Sequence, residues 1–312
     1  MTVMRPALRE YRTWTLDSRR LKTYRPRPDD IFICTYPKCG TTWVQHIVSM
    51  LIFQSAEPRS IHDVSLWPDT PIRGPIEQVM ARLEAQDHRR FIKAHLPLDG
   101  LALHGEVKYI HVARDGRDAC ASWHNHQMAY TPGALAVLDA VGKEDETLGR
   151  PFPRASSDLR VFYRKWLEAS LESPGVDFFD FQAASWAERL RPNVLMVHYN
   201  DLKADLASEM RRIAEFLEIT LPDSLWPTLV EAGSFTSMRR EGGTLLPSAG
   251  NQFEGGAERF LFKGTNGRWR DVLTEEDLAL YDAKVREKLT PGLAVWLEHG
   301  RSAAGDPRAV IN

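Results

Sequence analysis

The chain has 312 residues, 43% hydrophobic and 26% charged, an ordinary balance for a globular protein with a large buried core. Its 40 basic and 42 acidic residues nearly cancel, which argues against nucleic acid or an anionic membrane as partner and leaves any anion site to be built locally. Cys34, Cys39 and Cys120 lack CxxC spacing and fit a reducing cytoplasm. The N-terminus is charged where a signal peptide needs an apolar run, and the longest apolar window, residues 47–53, is too short to span a bilayer. The expectation is a soluble cytoplasmic protein without a transmembrane segment.

In chain order, residues 31–34 read as a buried strand that runs into the turn TYPKCGTT. Val44, Ile47, Val48, Leu51 and Ile52 then fall at helical spacing, so a helix begins close to residues 40–42. Further strands are predicted at 91–92, 107–112 and 194–198, with a second helix over 119–127. A third helix carries Leu206, Met210, Ile213 and Leu217 on one face, with the pair Asn200-Asp201 available as its cap. Strands alternating with helices imply a single α/β domain over residues 1–312, with a central parallel sheet flanked by helices. Two stretches interrupt the alternation and read as long loops: 131–157, rich in proline, glycine and charge, and 234–267, which holds GG twice and is expected to be a mobile lid.

A strand that turns into a helix presents unpaired backbone N–H groups at the positive end of the helix dipole, a ready place for phosphate or sulfate. Gly40 lets the backbone approach closely, Lys38 adds a mobile charge, and the Thr41 and Thr42 hydroxyls add donors. The plain alternative is a capped helix behind a buried strand. A magnesium-dependent kinase or NTPase would place its lysine directly before the Ser/Thr and an acidic residue after another apolar strand. Here the lysine stands three residues before Thr41, and the strand over 107–112 is followed by Ala113 and Arg114. Cys39, at a helix N-terminus beside Lys38, is expected either to be structural or to have a lowered thiol pKa that makes it oxidisable. His124 and His126 form an HxH without companion ligands, so no metal is expected.

TYPKCGTTW closely resembles the TYPKSGTTW loop of the soluble sulfotransferases, which use 3′-phosphoadenosine 5′-phosphosulfate (PAPS) as donor. KAHLP at 93–97, RDGRDACAS at 114–122 and KGxxGxW at 263–269 resemble three further motifs of that family, in the same order. With LMVHYNDLK at 195–203 and SFxxM at 234–238, the likeness spans residues 30–275, and HRRFIKAHLPLDGL is most similar to bacterial members that sulfate glycolipids. The resemblance implies a P-loop-like phosphosulfate site after the first core strand and transfer of a sulfuryl group to a hydroxyl of a small molecule or glycolipid. It implies His95 as general base, with Lys38 and Lys93 stabilising the transition state. The donor's 5′-phosphate would rest on Gly40, Thr41, Thr42 and the backbone of Cys39, with Lys38 at the bridging oxygen of the leaving group, and its adenine on Trp43. Arg114 and Ser122, closed over by Lys263 and Gly264, would hold the 3′-phosphate, while Tyr199, Ser234 and Phe235 complete the nucleoside pocket. The acceptor would lie against residues 61–76, 130–154 and the lid. Alternatives are a nucleotide kinase-like phosphotransferase and a non-catalytic protein that binds phosphoadenosine nucleotides. Three departures stand out. Phe262 occupies the place of an arginine usual in the family, Gly233 that of a threonine, and the family's C-terminal dimer motif is not intact around residues 270–280, so its dimer is not carried over.

Overall fold

The apolar runs assemble into four strands, β1 (Ile31–Thr35), β2 (Phe91–Ala94), β3 (Lys108–Ala113) and β4 (Val194–His198), all parallel and ordered β2-β1-β3-β4. They belong to a computed structural model that describes residues 2–168 and 176–310. Side chains alternate across the sheet with period two. Ile31, Ile33, Ile110, Val112 and Val197 enter one core, and Phe32, Cys34, Ile92, Tyr109 and Met196 the other. Both faces are covered, which is why the strands read as unbroken apolar runs instead of alternating ones. Burying each such Ile or Phe contributes about 1.5–3 kcal/mol.

Helices α1 (Thr41–Phe53) and α3 (Leu206–Phe216) cover the first face through Val44, Ile47, Met210 and Ile213. Helix α2 (Gly116–Gln127) covers the other through Ala119, Cys120 and Trp123. Helix α2 starts three residues before the predicted Ala119, because the Asp115 carboxylate accepts from Arg117 N at 2.8 Å and caps it. Helix α3 is capped by Asp205, whose side chain accepts from Ser208 N at 3.0 Å, and not by Asn200-Asp201, which lie within a separate short helix, Tyr199–Ala204.

Both predicted loops contain helices. Thr131 accepts from Ala134 N at 3.1 Å and Pro132 occupies the first turn, so a 13-residue helix, Pro132–Glu144, fills half of 131–157. The 234–267 stretch holds Phe235–Arg240, Gly242–Leu245, Ala249–Gln252 and Gly256–Phe260, each too short for an apolar period to register.

At the N-terminal edge of the sheet, a buried Arg90–Asp30 pair, with Arg90 Nε donating to Oδ1 at 2.7 Å, ties the starts of β1 and β2. The opposite edge is where chemistry collects. The chain leaves β1 toward β2 and then crosses back to β3, so the strand order reverses at β1 and opens a crevice beyond the strands' carboxyl ends.

Candidate active site

The turn after β1 bends through two left-handed residues, Lys38 (φ 69°) and Gly40 (φ 106°). At Gly40 a Cβ would sit 3.1 Å from the Tyr199 ring and 3.7 Å from Val112, so the turn needs glycine both for its φ and for its space. Thr41 Oγ1 lies 2.5 Å from Thr35 Oγ1, fastening the start of α1 to the end of β1. Thr42 and Trp43 line the crevice. The Trp43 indole donates to the Gly233 carbonyl at 2.8 Å and meets the Tyr199 ring edge-on at 5.3 Å. Cys39 is fully buried, and burial pushes its thiol up to about 12. That reverses the expectation of a lowered pKa, since desolvation of a thiolate outweighs the pull of Arg114 and Lys38.

At the carboxyl end of β2, Lys93 within the strand and His95 just past it reach the crevice, two residues apart on one extended segment. His95 Nδ1 is 2.7 Å from the Thr35 carbonyl, which can only accept, so Nδ1 carries the hydrogen and Nε2 presents the lone pair. The His95 backbone N–H donates to Asp69 Oδ2 at 2.9 Å, and the imidazole meets Trp67 edge-on at 5.0 Å. Burial, reinforced by Lys93 and Lys38, holds the imidazole pKa well below its ordinary value, so the ring stays neutral. The Lys93 ammonium sits 3.7 Å over Trp67, and the Lys38 ammonium 4.3 Å over Phe260 and 3.4 Å from His126 Nδ1. Burial pushes both lysines down to about 7, with Arg114 adding to the effect at Lys38 and Arg73 at Lys93.

On the far side, Arg114 at the end of β3 donates to Asn266 Oδ1 at 2.6 and 3.1 Å, to the Thr265 carbonyl at 3.1 Å and to the Lys38 carbonyl at 3.2 Å, its guanidinium 4.1 Å over Tyr199. Asp115 pairs with Arg117 and leaves Arg114 free of it. Tyr199 Oη donates to the Gly264 carbonyl at 3.3 Å, and Gly264 lies against the Phe235 ring, where a Cβ would come within 2.8 Å. Ser122, Phe235, Lys263 and Gly264 all line the same cavity. Ser234 does not; its hydroxyl accepts from Ser237 N at 3.2 Å and caps a helix. Nor does Cys39, whose side chain faces the core.

Sequence reasoning missed two arginines. Arg268 lines the cavity beside Phe262, its guanidinium 5.3 Å from that ring, and no hydrogen bond or ion pair engages it among the described residues. Arg73 lines the opposite end, its Nη2 donating to His62 Nε2 at 3.1 Å. Six cationic side chains, Lys38, Arg73, Lys93, Arg114, Lys263 and Arg268, thus face a cavity that no carboxylate lines among the described residues. His124 turns away from His126, its Nε2 2.8 Å from the Ser156 carbonyl, because residues two apart on a helix do not share a face. The arrangement suits a polyanion beside a neutral imidazole base.

The sulfotransferase domain family model matches residues 28–291. The glycolipid sulfotransferase of Mycobacterium tuberculosis (strain H37Rv) is 34% identical over 309 residues, covering 93% of this chain and 94% of that protein. Sulfotransferase 1B1 of Mus musculus is 27% identical over 287 residues, 89% of this chain and 88% of that one. Among solved structures, retinol dehydratase in complex with androsterone and the inactive cofactor PAP superimposes with a TM-score of 0.69 at 22% identity over 88% of this chain and 87% of that one. A mouse sulfotransferase complexed with PAP gives 0.62 at 21% identity, over 86% and 87%.

Proposed function

The chain belongs to the sulfotransferase family and is a sulfotransferase; on that premise we propose that it moves the sulfuryl group of PAPS to the hydroxyl of a small amphiphilic or glycolipid acceptor, with His95 as base. The observation that carries this reading is the His95 imidazole, pinned through Nδ1 to the Thr35 carbonyl and set between two lysines in a cavity that no carboxylate lines among the described residues, Asp69 holding only the His95 backbone N–H.

The fit to the donor rests on charge and space. PAPS brings about four negative charges, and the cavity offers unpaired cations in a setting where burying them without anions is costly. Gly40, Thr42 and the α1 N-terminus are placed for the 5′ end, and Arg114 with Ser122 and Lys263 for the 3′-phosphate. Trp43, Tyr199 and Phe235 offer aromatic surface to the adenine. Arg268 stands beside Phe262 and supplies a guanidinium in place of the arginine missing from that position.

PAPS supplies an electrophilic sulfur whose leaving group is a phosphate. His95 Nε2 takes the acceptor hydroxyl's proton, a role for which a neutral ring with a fixed tautomer is prepared, and a positioned base of this kind contributes about 10²–10⁴-fold. Lys38 holds positive charge beside the leaving oxygen and Lys93 beside the transferring group. Burial lowers the pKa of both in the free protein, and an anion lying against them favours their charged forms.

The test is incubation with PAPS and hydroxyl acceptors, with mass spectrometry for products heavier by one sulfuryl group, beside thermal unfolding with 3′,5′-phosphoadenosine in the absence of magnesium. The expected result is a rise in melting temperature and a sulfated product. No shift at millimolar nucleotide overturns the donor assignment; a shift without transfer to any acceptor favours a non-catalytic binder.

A further inference from the structure

We propose that the acceptor carries an oxyanion, a carboxylate, sulfate or phosphate ester, near the hydroxyl that receives the sulfuryl group, and that Arg73 reads it. The proposal rests on the sulfotransferase reading above and adds the chemical class of the acceptor.

Arg73 ends the turn Pro71–Arg73 and lines the cavity at the end that also holds Lys93, Trp67 and Ile72. Its one hydrogen bond among the described residues goes to His62 Nε2 at 3.1 Å, while His62 Nδ1 lies 3.0 Å from Ser248 Oγ. His62 is neutral, its pKa pushed down to about 3 by burial and by Arg73 and Lys93. This relay orients the guanidinium and satisfies one of its five N–H donors, but supplies no negative charge. The acidic group nearest in influence, Asp63, is exposed and paired with Arg82 Nη2 at 3.2 Å. No ion pair reaches Arg73 among the described residues.

Lysine and arginine differ here. Lys93 can meet the cost of burial by losing its proton, and its pKa near 7 shows how close it is to doing so. Arg73 cannot, so its charge persists whatever the pH. On the donor side Lys38, Arg114, Lys263 and Arg268 match the roughly four charges that PAPS brings, and Lys93 already feels the buried Asp69 carboxylate, which leaves Arg73. A neutral acceptor would leave Arg73 as a permanent charge facing a cavity without a counterion; an anionic one completes the balance. The surrounding wall of Ile61, Trp67, Ile72 and Phe253 adds an apolar surface, so the acceptor's body is aliphatic or aromatic.

The test uses the full chain, PAPS and matched amphiphiles with and without an oxyanion: N-dodecanoyl tyrosine and its methyl ester, dodecyl glucuronide and dodecyl glucoside, and lysophosphatidic acid and monoacylglycerol. In at least one pair the anionic member should be favoured in kcat/KM by about tenfold or more, as expected for a charge-assisted contact in a partly desolvated site. Which pair responds separates carboxylate from phosphate recognition. The ratio should fall toward one in Arg73→Gln and be largely kept in Arg73→Lys, with the thermal shift by 3′,5′-phosphoadenosine showing that each variant folds; Arg73→Met replaces Arg73→Gln if the latter lacks that shift. The proposal is overturned if the wild type, with its nucleotide shift intact, favours no anionic member or sulfates none, or if the preference survives loss of the guanidinium. Absence of the nucleotide shift in the wild type refutes the donor reading instead.

Discussion

Replacing Arg268 by methionine removes a guanidinium that no hydrogen bond or ion pair engages among the described residues, while keeping an unbranched side chain to pack on Phe262. If Arg268 binds the donor's 3′-phosphate, it makes charge-assisted hydrogen bonds worth about 1.5–3 kcal/mol. That loss corresponds to about 10- to 150-fold in affinity. A compensating term pulls toward the lower end, because Arg268 also depresses the pKa of Lys38, and its removal makes that lysine easier to charge. Arg268→Met should therefore weaken 3′,5′-phosphoadenosine about tenfold or somewhat more. Binding of adenosine 5′-phosphate, which lacks the 3′-phosphate, should change far less. Calorimetric titration of both nucleotides measures the difference. Adding Phe262→Arg to Arg268→Met returns a guanidinium from the neighbouring position and should recover most of the loss. Equal weakening of both nucleotides, or none, refutes the assignment of Arg268.

The depressed lysines make a second prediction. Lys38 and Lys93 drop from 10.5 to about 7 on folding, so between those pH values the unfolded chain holds protons that the folded one has released, and the stability of the free protein rises with pH across that window. Nucleotide binding should conversely take up protons at pH 8, seen as a dependence of the binding enthalpy on buffer ionisation; a buffer-independent enthalpy contradicts it. His95→Ala should keep the nucleotide-induced thermal shift and lose transfer by about 10²-fold or more, and undiminished transfer would remove His95 as the base. Because the His95 pKa lies well below its ordinary value, transfer should not decline with the usual histidine titration as pH falls from 8 to 6. Cys39 should resist alkylation in the native protein at pH 8, as a buried thiol with a raised pKa; rapid modification with the fold intact would restore the redox reading.

The four strands and the anion loop were legible because a parallel sheet buried on both faces leaves unbroken apolar runs, and because a left-handed turn demands glycine at residue 40. Lys93 and His95 were legible as one extended segment, since period two sends both the same way. Other features depended on contacts that local spacing does not encode. The tautomer of His95 is set by a main-chain carbonyl of β1. Arg73 and Arg268 stand 195 positions apart in sequence, each within a stretch without periodicity, and only folding turns them into opposite ends of one cavity. Of the two readings of Cys39, complete burial favours the structural one; the lowered-pKa reading came from a helix N-terminus that is visible in sequence, whereas burial is not.

The stretch 234–267 touches both ends of the cavity. Lys263, Gly264 and Phe235 stand at the end proposed for the nucleotide, while Phe253 lines the wall proposed for the acceptor and Ser248 Oγ lies 3.0 Å from His62 Nδ1. Any acceptor that favours one arrangement of this stretch must alter nucleotide affinity by the same factor by which the nucleotide alters acceptor affinity. The kinetic counterpart is a preferred order of addition, with excess acceptor trapping the enzyme on its spent nucleotide. Substrate inhibition that deepens with added 3′,5′-phosphoadenosine would be its signature, and strictly independent binding of the two ligands would rule it out.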